Sequence, residues 1–573
     1  MQDFDFEAIR YKCRPISTPK TTRYVTALGF DTEADREGNT FMYCFSDGTV
    51  CSPRTLLDTL FSRQYRGSQF VVYNLKYEQG AILQLFPREL IDGLRVTGDF
   101  RTTKYHVTTI GYKCLRIARG KNAVTFWDMH SFFNMSLANA ARQFTNTRKI
   151  EQDVTLFTGD YIAENWDKIA QYCIKDAQIT AKLFDVLLSM CDRMGIHPTT
   201  FYSCASIAYK YVREQVGWVT VERFWKDHRD VLRAACEAYA GGKFEVTTRG
   251  KGTFYEYDIN SAYPYEISNL IDISDAVVVE SHTRPPYGVY GFLKCRLYFG
   301  VNVAHTIPLK RKGVNVYPIG RFTKWLTAEE YDYTITLPGV EVKILRGIWL
   351  VVRHKKYLFR NVIHELYKTK LEAKVRKDKE LYHFSKTMMN ALYGKFVQLI
   401  KKGDHLEAST CWNPIYGAII TANVRIRIAR LQNEYQGVVA VHTDSVLCTH
   451  SLPIQKSQAL GDWDETISGV GIILGSGVYQ VGDKVRLRGF PAKVSLMHLL
   501  ARSPPVLTIP DKRAYSWREV VFHHWSTDLI NRFTELDKHL NVNFDTKRLW
   551  DDEWLDGNDC LDRVIESLPR VVF

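Results

Sequence analysis

The sequence predicts a multidomain chain of mixed α/β and α+β class, on three observations. Its 573 residues, 45% hydrophobic and 13% aromatic, suffice for roughly three to five domains at ~100–200 residues each. Up to about residue 195, apolar strand-like runs alternate with helical ones, the pattern of an α/β domain. Farther along, two acid-bearing segments, DINSAYP at Asp258–Pro264 and HTDS at His442–Ser445, adjoin apolar strands and flank a helical stretch, KTMMNALYG at Lys386–Gly394.

The N-terminal elements follow in order. Tyr24–Phe30 reads as an apolar strand running into Asp31-Thr32-Glu33. Residues two apart share a strand face, so Asp31 and Glu33 project together, and two like carboxylates side by side are costly unless a cation lies between them. A polar strand end in a turn would read the same way. Phe70–Tyr73 predicts a second strand, ending at Asn74 with Glu78 a helical turn later. QYCIKDAQITAKLF predicts a helix with Tyr172 and Asp176 on one face, where packing or capping would serve equally well.

In the second half, Thr253–Ile259 predicts a strand that delivers Asp258 to its end. Val438–Val441 and Val446–Thr449 predict two strands around His442-Thr443-Asp444-Ser445, placing Asp444 in a hairpin turn. If these strands are neighbours, the two acids can hold metals ~3.5–4 Å apart, which stabilise attacking and leaving oxygens; two unrelated turn aspartates are the alternative. Lys386, Asn390 and Tyr393 share one helix face, with Met388, Met389 and Leu392 elsewhere. A plain surface helix has that pattern too, but the lysine suits a phosphate and Gly394 permits close approach. Pro414–Gln432 reads as a helix, and Lys401-Lys402-Gly403-Asp404 as a tight turn.

Charge is consistent with a polyanionic partner. The net charge is +13, and cations cluster at Lys368, Lys370, Lys374, Arg376, Lys377 and Lys379. Such an excess favours polyanions by releasing their counterions; a solvated basic face would give the same count. The 12 cysteines show no CxxC pair or His partner at finger spacing, which argues against structural zinc and a disulfide framework and for a reducing compartment. The N-terminus lacks an apolar signal core and no run approaches ~18 apolar residues, so neither secretion nor membrane spanning is expected.

Taken in order, Asp31, Glu33, Glu78, Tyr172 and Asp176 resemble the DEDD-type 3′–5′ exonuclease, whose fold is RNase H-like. That resemblance implies metal ions on Asp31, Glu33 and Asp176 and a water-orienting role for Tyr172; the family normally has Asp where this chain has Glu78. From Asp31 to about Gly489 the chain resembles the family B DNA polymerases, and within them the protein-primed branch of small linear-genome phages, linear plasmids and adenoviruses. Three features favour that branch: no extra domain is expected before Asp31; YAGG at Tyr239–Gly242 is similar to the YxGG template-contacting linker; and the stretch between Asp258 and Lys386 leaves room for a terminal-protein insertion.

The resemblance implies an exonuclease domain at 1–195, then a right hand: palm at 196–267 and 414–510, an insertion at 268–348, fingers at 349–396, a shortened second insertion at 397–413 and a thumb at 511–573. It assigns polymerase metals to Asp258, Ile259 and Asp444, giving two Mg2+ or Mn2+ ions at each of the two sites. Tyr263 would exclude ribonucleotides; Lys386, Asn390, Tyr393 and Lys374, with Arg376, would meet the nucleotide; Tyr239, Gly241 and Gly242 would meet template, and Lys484, Arg486 and Arg488 primer. Two departures stand out. His442 occupies the place of an Asp, and titration near ~6.5 would let it gain charge beside the metals at mildly acidic pH. Arg486 stands where a KxY strand has its tyrosine. The expected function is a proofreading DNA polymerase acting on template, primer and dNTPs, started by a terminal protein. It is expected to be a monomer, or a heterodimer with that protein, in a host cytoplasm, with no membrane partner. A family B enzyme extending ordinary primers, and a catalytically silent DNA-binding protein, are the alternatives. The short stretch from Gly394 to Asp444 implies a reduced clamp and modest processivity.

Overall fold

A glycine decides how closely the first sheet meets its covering helix. In the computed structural model, which describes residues 5–11, 25–490, 495–496, 506–541, 545–550 and 565–572, the strand Leu28–Ala34 lies under the long helix Trp166–Arg193. A Cβ on Gly29 would collide with the carbonyl oxygen of Ala177, so any side chain there would push the helix away. The sheet runs Val50–Cys51, Thr40–Phe45, Leu28–Ala34, Gln69–Val72, Asn122–Asp128, Cys114–Arg119, His106–Ile110, Asp99–Arg101. Its three central strands are parallel. Fully buried Phe30, Phe45, Phe70 and Phe126 fill one face, with Phe70 stacked on Phe126 at 5.0 Å. The strand expected to finish at Phe30 continues to Ala34, so Asp31 and Glu33 sit within the ladder rather than at its end; Tyr24 lies outside the described residues.

A second sheet is antiparallel throughout: Lys243–Val246, Val438–Thr443, Ser445–Cys448, Thr248–Ile259, Trp463–Gly475, Val478–Val481, Lys484–Leu487, with Ile565–Glu566 paired to the start of Thr248–Ile259. The helix Pro414–Glu434 packs behind it, buried nearly all round. Proline in its first turn loses no hydrogen bond, and the Asn413 side chain accepts from the Tyr416 amide at 3.1 Å. The helices Arg360–Val375 and Lys379–Phe396 form an antiparallel pair turned by Lys377 at φ 57° and capped by Asp378. Between Asp258 and that pair the sequence builds a separate sheet, Val277–Glu280, Val340–Val351, Gly288–Phe299 and Ile319–Thr327, which Val571–Val572 joins from the far end of the sequence.

The sequence-based segments are crossed at both ends of the chain. Ile9–Tyr11 does not join the N-terminal sheet; it pairs in parallel with His405–Ala408, which forms a short hairpin with Leu399–Lys402 about Gly403 at φ 59°. The segment 511–573, expected as one thumb, begins within a two-stranded ribbon, Val506–Ala514 with Phe533–Asn541, whose connecting tip holds the helix Trp517–Phe522; residues 542–544, 551–564 and 573 of that segment lie outside the described ones. Trp517, Val520, Val521 and Ile530 of the tip are buried in the same apolar cluster as Phe30 and Phe70. The described cysteines are all free and buried. No helix among the described residues is long and apolar enough to cross a membrane.

Truncating a fully buried tryptophan removes transfer energy and leaves a cavity. Trp517→Ala is therefore expected to destabilise the N-terminal region by about 3–5 kcal/mol, read as a lower urea midpoint for its unfolding transition. An unchanged midpoint would exclude the ribbon tip from that core.

Candidate functional site

Strand pairing brings the two acids of the second half together. Asp258 stands next to last in Thr248–Ile259 and is paired with Ser445 on one side and Asp464 on the other. The chain reverses at Asp444, with Thr443 at φ 69°, and the Ile259 N–H donates to the Asp444 carbonyl at 3.0 Å. Two cavities meet at this pair of carboxylates. One, of about 380 Å³, is lined by Ile259, Ser261, Tyr263, Lys370, Lys374, Lys386, Asn390 and Asp464. The other, of about 540 Å³, is lined by His442, Tyr479, Lys484, Arg486 and Arg488. Burial, then Asp444 and Glu256, push the Asp258 carboxyl up to about 7, against the pull of Lys484; burial also raises Asp444. Two half-buried acids that resist joint ionisation, facing lysines across a polar cavity, fit a divalent cation.

Four separated motifs converge beside the acids. The Tyr263 ring lies 4.7 Å from that of Tyr393, whose hydroxyl is 2.8 Å from the hydroxyl of Tyr239. Gly242 needs its missing side chain: a Cβ would stand 2.6 Å from Thr443 Cγ2 and 3.0 Å from the Tyr263 hydroxyl. Arg425, fully buried in the helix Pro414–Glu434, donates to the carbonyls of Ala240 and Gly241 and pairs with Glu330 at 2.7 Å. A larger groove of about 930 Å³ runs past Tyr239, Gly241, Gly242, Lys310, Lys401, His405 and Arg488.

Among the cations, the structure selects differently from the sequence. Lys374 faces the smaller cavity and donates to Gln458 Oε1 at 3.1 Å, but Arg376 turns outward to Glu372. Its place is taken by Lys370, buried with Nζ 3.3 Å from Ser261 Oγ. Burial and the neighbouring Lys386 and Lys374 push Lys370 down to about 8. Sequence periodicity could have found it, since Lys370 and Lys374 share a helix face and Arg376 does not.

His442 also differs from expectation. Its ring is buried, stacked on Tyr479 at 4.7 Å, and neither ring nitrogen has a partner among the described residues. Burial, then Lys484, Lys547, Arg486 and Arg488, push it down to about 3, so it stays neutral where the sequence suggested protonation. Arg486 pairs across the ladder with Tyr479, which supplies an aromatic ring from the facing strand. The Tyr479 hydroxyl donates to Glu256 Oε1 at 3.2 Å, and Lys484 pairs with the same carboxylate.

The N-terminal sheet holds a second acid cluster. Asp31 and Glu33 come from Leu28–Ala34, Tyr172 and Asp176 from Trp166–Arg193, and Glu78 from the helix Leu75–Leu83. Ligand atoms of Asp31, Glu33 and Cys173 lie within 4.8 Å of one another. Burial first, then mutual repulsion, raises Asp31, Glu33 and Glu78, and burial raises Asp176. Glu78 Oε2 and Asp176 Oδ1 are buried without partners among the described residues, as expected of carboxylates arranged for a cation. Lys149, which no sequence pattern marks, pairs with Asp176 and stands 5.0 Å from the Tyr172 ring.

Residues 160–460 match the family described as DNA polymerase type B, organellar and viral, which is more than half of the chain. The chain belongs to that family. It is 28% identical over 281 residues to a DNA polymerase of Acidianus bottle-shaped virus (isolate Italy/Pozzuoli), covering 45% of this chain and 41% of that one. It is 27% identical over 167 residues to a probable DNA polymerase of Podospora anserina, covering 29% and 13%. The matches thus span less than half of these curated relatives. Phi29 DNA polymerase in its orthorhombic crystal form has the same fold, with TM-score 0.64 and 15% identity over 91% of this chain and all of that one. Phi29 DNA polymerase complexed with primer-template DNA and incoming nucleotides gives TM-score 0.64 and 14% identity, over 90% of this chain and 99% of that one. The type B polymerase fold of this chain is therefore the exonuclease-plus-right-hand arrangement.

The raised acids make stability depend on pH. A carboxyl whose folded pKa lies above its unfolded value stabilises the fold while protonated, and that contribution is lost as pH rises through the folded value, about 7 for Asp258. In chelator, the melting temperature is expected to fall from mildly acidic to mildly alkaline pH. Mg2+ should restore most of the loss, and Asp258→Asn should flatten the slope, whereas His442→Phe should leave it unchanged. A flat profile for the parent protein would contradict the electrostatics described.

Proposed function

We propose that this type B family member is a DNA-templated DNA polymerase with 3′–5′ proofreading, and that it starts synthesis on a terminal protein. The observation that carries the polymerase reading is the smaller cavity, lined by Asp258 and Asp444 together with Lys370, Lys374, Lys386 and Tyr263, whose ring packs on Tyr393. Divalent ions held by Asp258, Ile259 and Asp444, and by Asp31, Glu33, Glu78 and Asp176, would supply the Lewis acidity that stabilises attacking and leaving oxygens.

The protein's own groups do the rest. Three lysines bind and orient a triphosphate as point charges. The Tyr263 ring, fixed against Tyr393, closes the space where a ribose 2′-hydroxyl would project, and Tyr393 underlies the nascent base pair. Gly241 and Gly242, held through Arg425, let the template backbone pass close to the site. Lys484, Arg486 and Arg488 meet primer phosphates in the neighbouring cavity. In the exonuclease, Lys149 favours the charged form of Asp176 against the effect of burial and holds it in place while the Tyr172 hydroxyl orients the attacking water. The sheet inserted between Asp258 and the helix pair is the proposed seat of the terminal protein, with the broad groove beside Tyr239 and Lys401 as its path to the acids.

The two activities are expected to separate by mutation. Asp258→Asn or Asp444→Asn should lower primer extension by orders of magnitude while single-strand degradation continues; Asp31→Ala with Glu33→Ala should do the reverse. Near-normal extension by both Asn variants would sink the polymerase assignment. Priming is tested separately with labelled dATP and the neighbouring gene products. Covalent transfer of label to a protein is expected, and its absence, with normal extension of ordinary primers, would leave the conventional-primer alternative.

A further inference from the structure

The helix that carries Glu78 is gripped at both ends, and one grip comes from the opposite end of the chain. At its start, Asp128 Oδ1 accepts from the backbone N–H groups of Asn74 at 3.1 Å and Leu75 at 3.0 Å. Those bonds are internal to the exonuclease sheet, since Asp128 ends the strand Asn122–Asp128. Within the same sheet, Tyr43 of the strand Thr40–Phe45 donates its hydroxyl to the Ala81 carbonyl at 2.8 Å, and three further bonds come from the tip of the C-terminal ribbon. The Asn531 amide donates to the Tyr77 carbonyl at 2.8 Å, the Trp517 indole N–H donates to Gln79 Oε1 at 2.8 Å, and Gln84 Nε2 donates to the Ile530 carbonyl at 2.9 Å.

Tyr77 and Gln79 are the residues on either side of Glu78. Gln79 and Trp517 are wholly buried and Asn531 is 2% exposed, so water cannot replace these partners. Two further details suit a built contact. Asn531 sits at φ 65°, a left-handed conformation that asparagine tolerates. Gly80 leaves room for the tip: a Cβ there would lie 2.5 Å from Asn531 Oδ1 and 2.9 Å from Ile530 Cγ2. Glu78 Oε2, by contrast, has no hydrogen-bond partner among the described residues. The place of that oxygen therefore follows from the helix that carries it.

We propose that Trp517 and Asn531 are positioning residues for the exonuclease site, fixing the rotation and axial place of the Glu78 helix so that its carboxylate meets Asp31 and Glu33. The exonuclease site is then completed by a ribbon that belongs to the polymerase half of the sequence. This role rests on the exonuclease reading above, which Glu78→Gln tests by itself.

The experiment uses the full chain and two mild variants. Trp517→Phe keeps the aromatic ring but removes the N–H; Asn531→Gly keeps the left-handed backbone but removes the amide. Both are expected to lower kcat for degradation of single-stranded DNA by about ten- to a hundredfold, the scale of a small misplacement. KM for the DNA should be unchanged, the Mg2+ concentration for half-maximal degradation should rise, and primer extension should stay at the parental rate. Parental degradation by both variants would overturn the role. An equal fall in degradation and extension would also overturn it, by marking the ribbon as a general support of the fold. If Glu78→Gln degrades DNA at the parental rate, the site assignment itself falls, and the positioning role with it.

Discussion

The closeness of Asp258 and Asp444 is the constraint around which the second half of the molecule is organised. Two acids more than 180 residues apart are forced together by antiparallel pairing and by the bond from the Ile259 N–H to the Asp444 carbonyl. Left alone they repel, and burial removes the water that would screen them, which is why Asp258 holds its proton to about 7. The arrangement is stable enough to persist because the backbone ladder fixes it. A divalent cation placed between the two carboxylates would relieve it.

The same logic explains the buried charges nearby. Arg425 is surrounded by apolar residues of its helix yet meets Glu330, Thr306, Ala240 and Gly241. Breaking such a pair leaves an uncompensated buried charge, at about 3–5 kcal/mol. A side chain this expensive to unpair makes the Tyr239–Gly242 segment rigid just where the backbone passes Thr443 and Tyr263. Lys370 is a milder case, a lysine brought down to about 8 by burial and by two neighbouring lysines, and facing the cavity that Asp258 and Asp444 line.

The ends of the chain tie the two halves to each other. Ile9–Tyr11 adds a strand to the short hairpin at 399–408, which makes it a three-stranded sheet rather than a bare hairpin. In the other direction, the ribbon from 506 to 541 carries Trp517 into the N-terminal core. Neither half is therefore a closed unit, and the described core of the N-terminal region is incomplete without residues from the last tenth or so of the sequence.

Much of the architecture was legible in the sequence because the signals are local. Alternation and helical spacing located the strands ending at Asp258 and around Asp444, the helix presenting Lys386, Asn390 and Tyr393, and the helix carrying Tyr172 and Asp176. Apolar periodicity reports which face of an element is buried, and these faces were read correctly. The sequence determined the family, the order of the elements and the acids. Only the tertiary structure decided what surrounds them. It placed Lys370 rather than Arg376 in the cavity, set Lys149 against Asp176, gave Arg486 its aromatic partner from Tyr479, and sent Trp517 to Gln79. It also made His442 a neutral stacked ring instead of a titrating one. The reason is physical: burial, desolvation and partner choice depend on groups hundreds of residues away, and no periodicity within one segment carries that information.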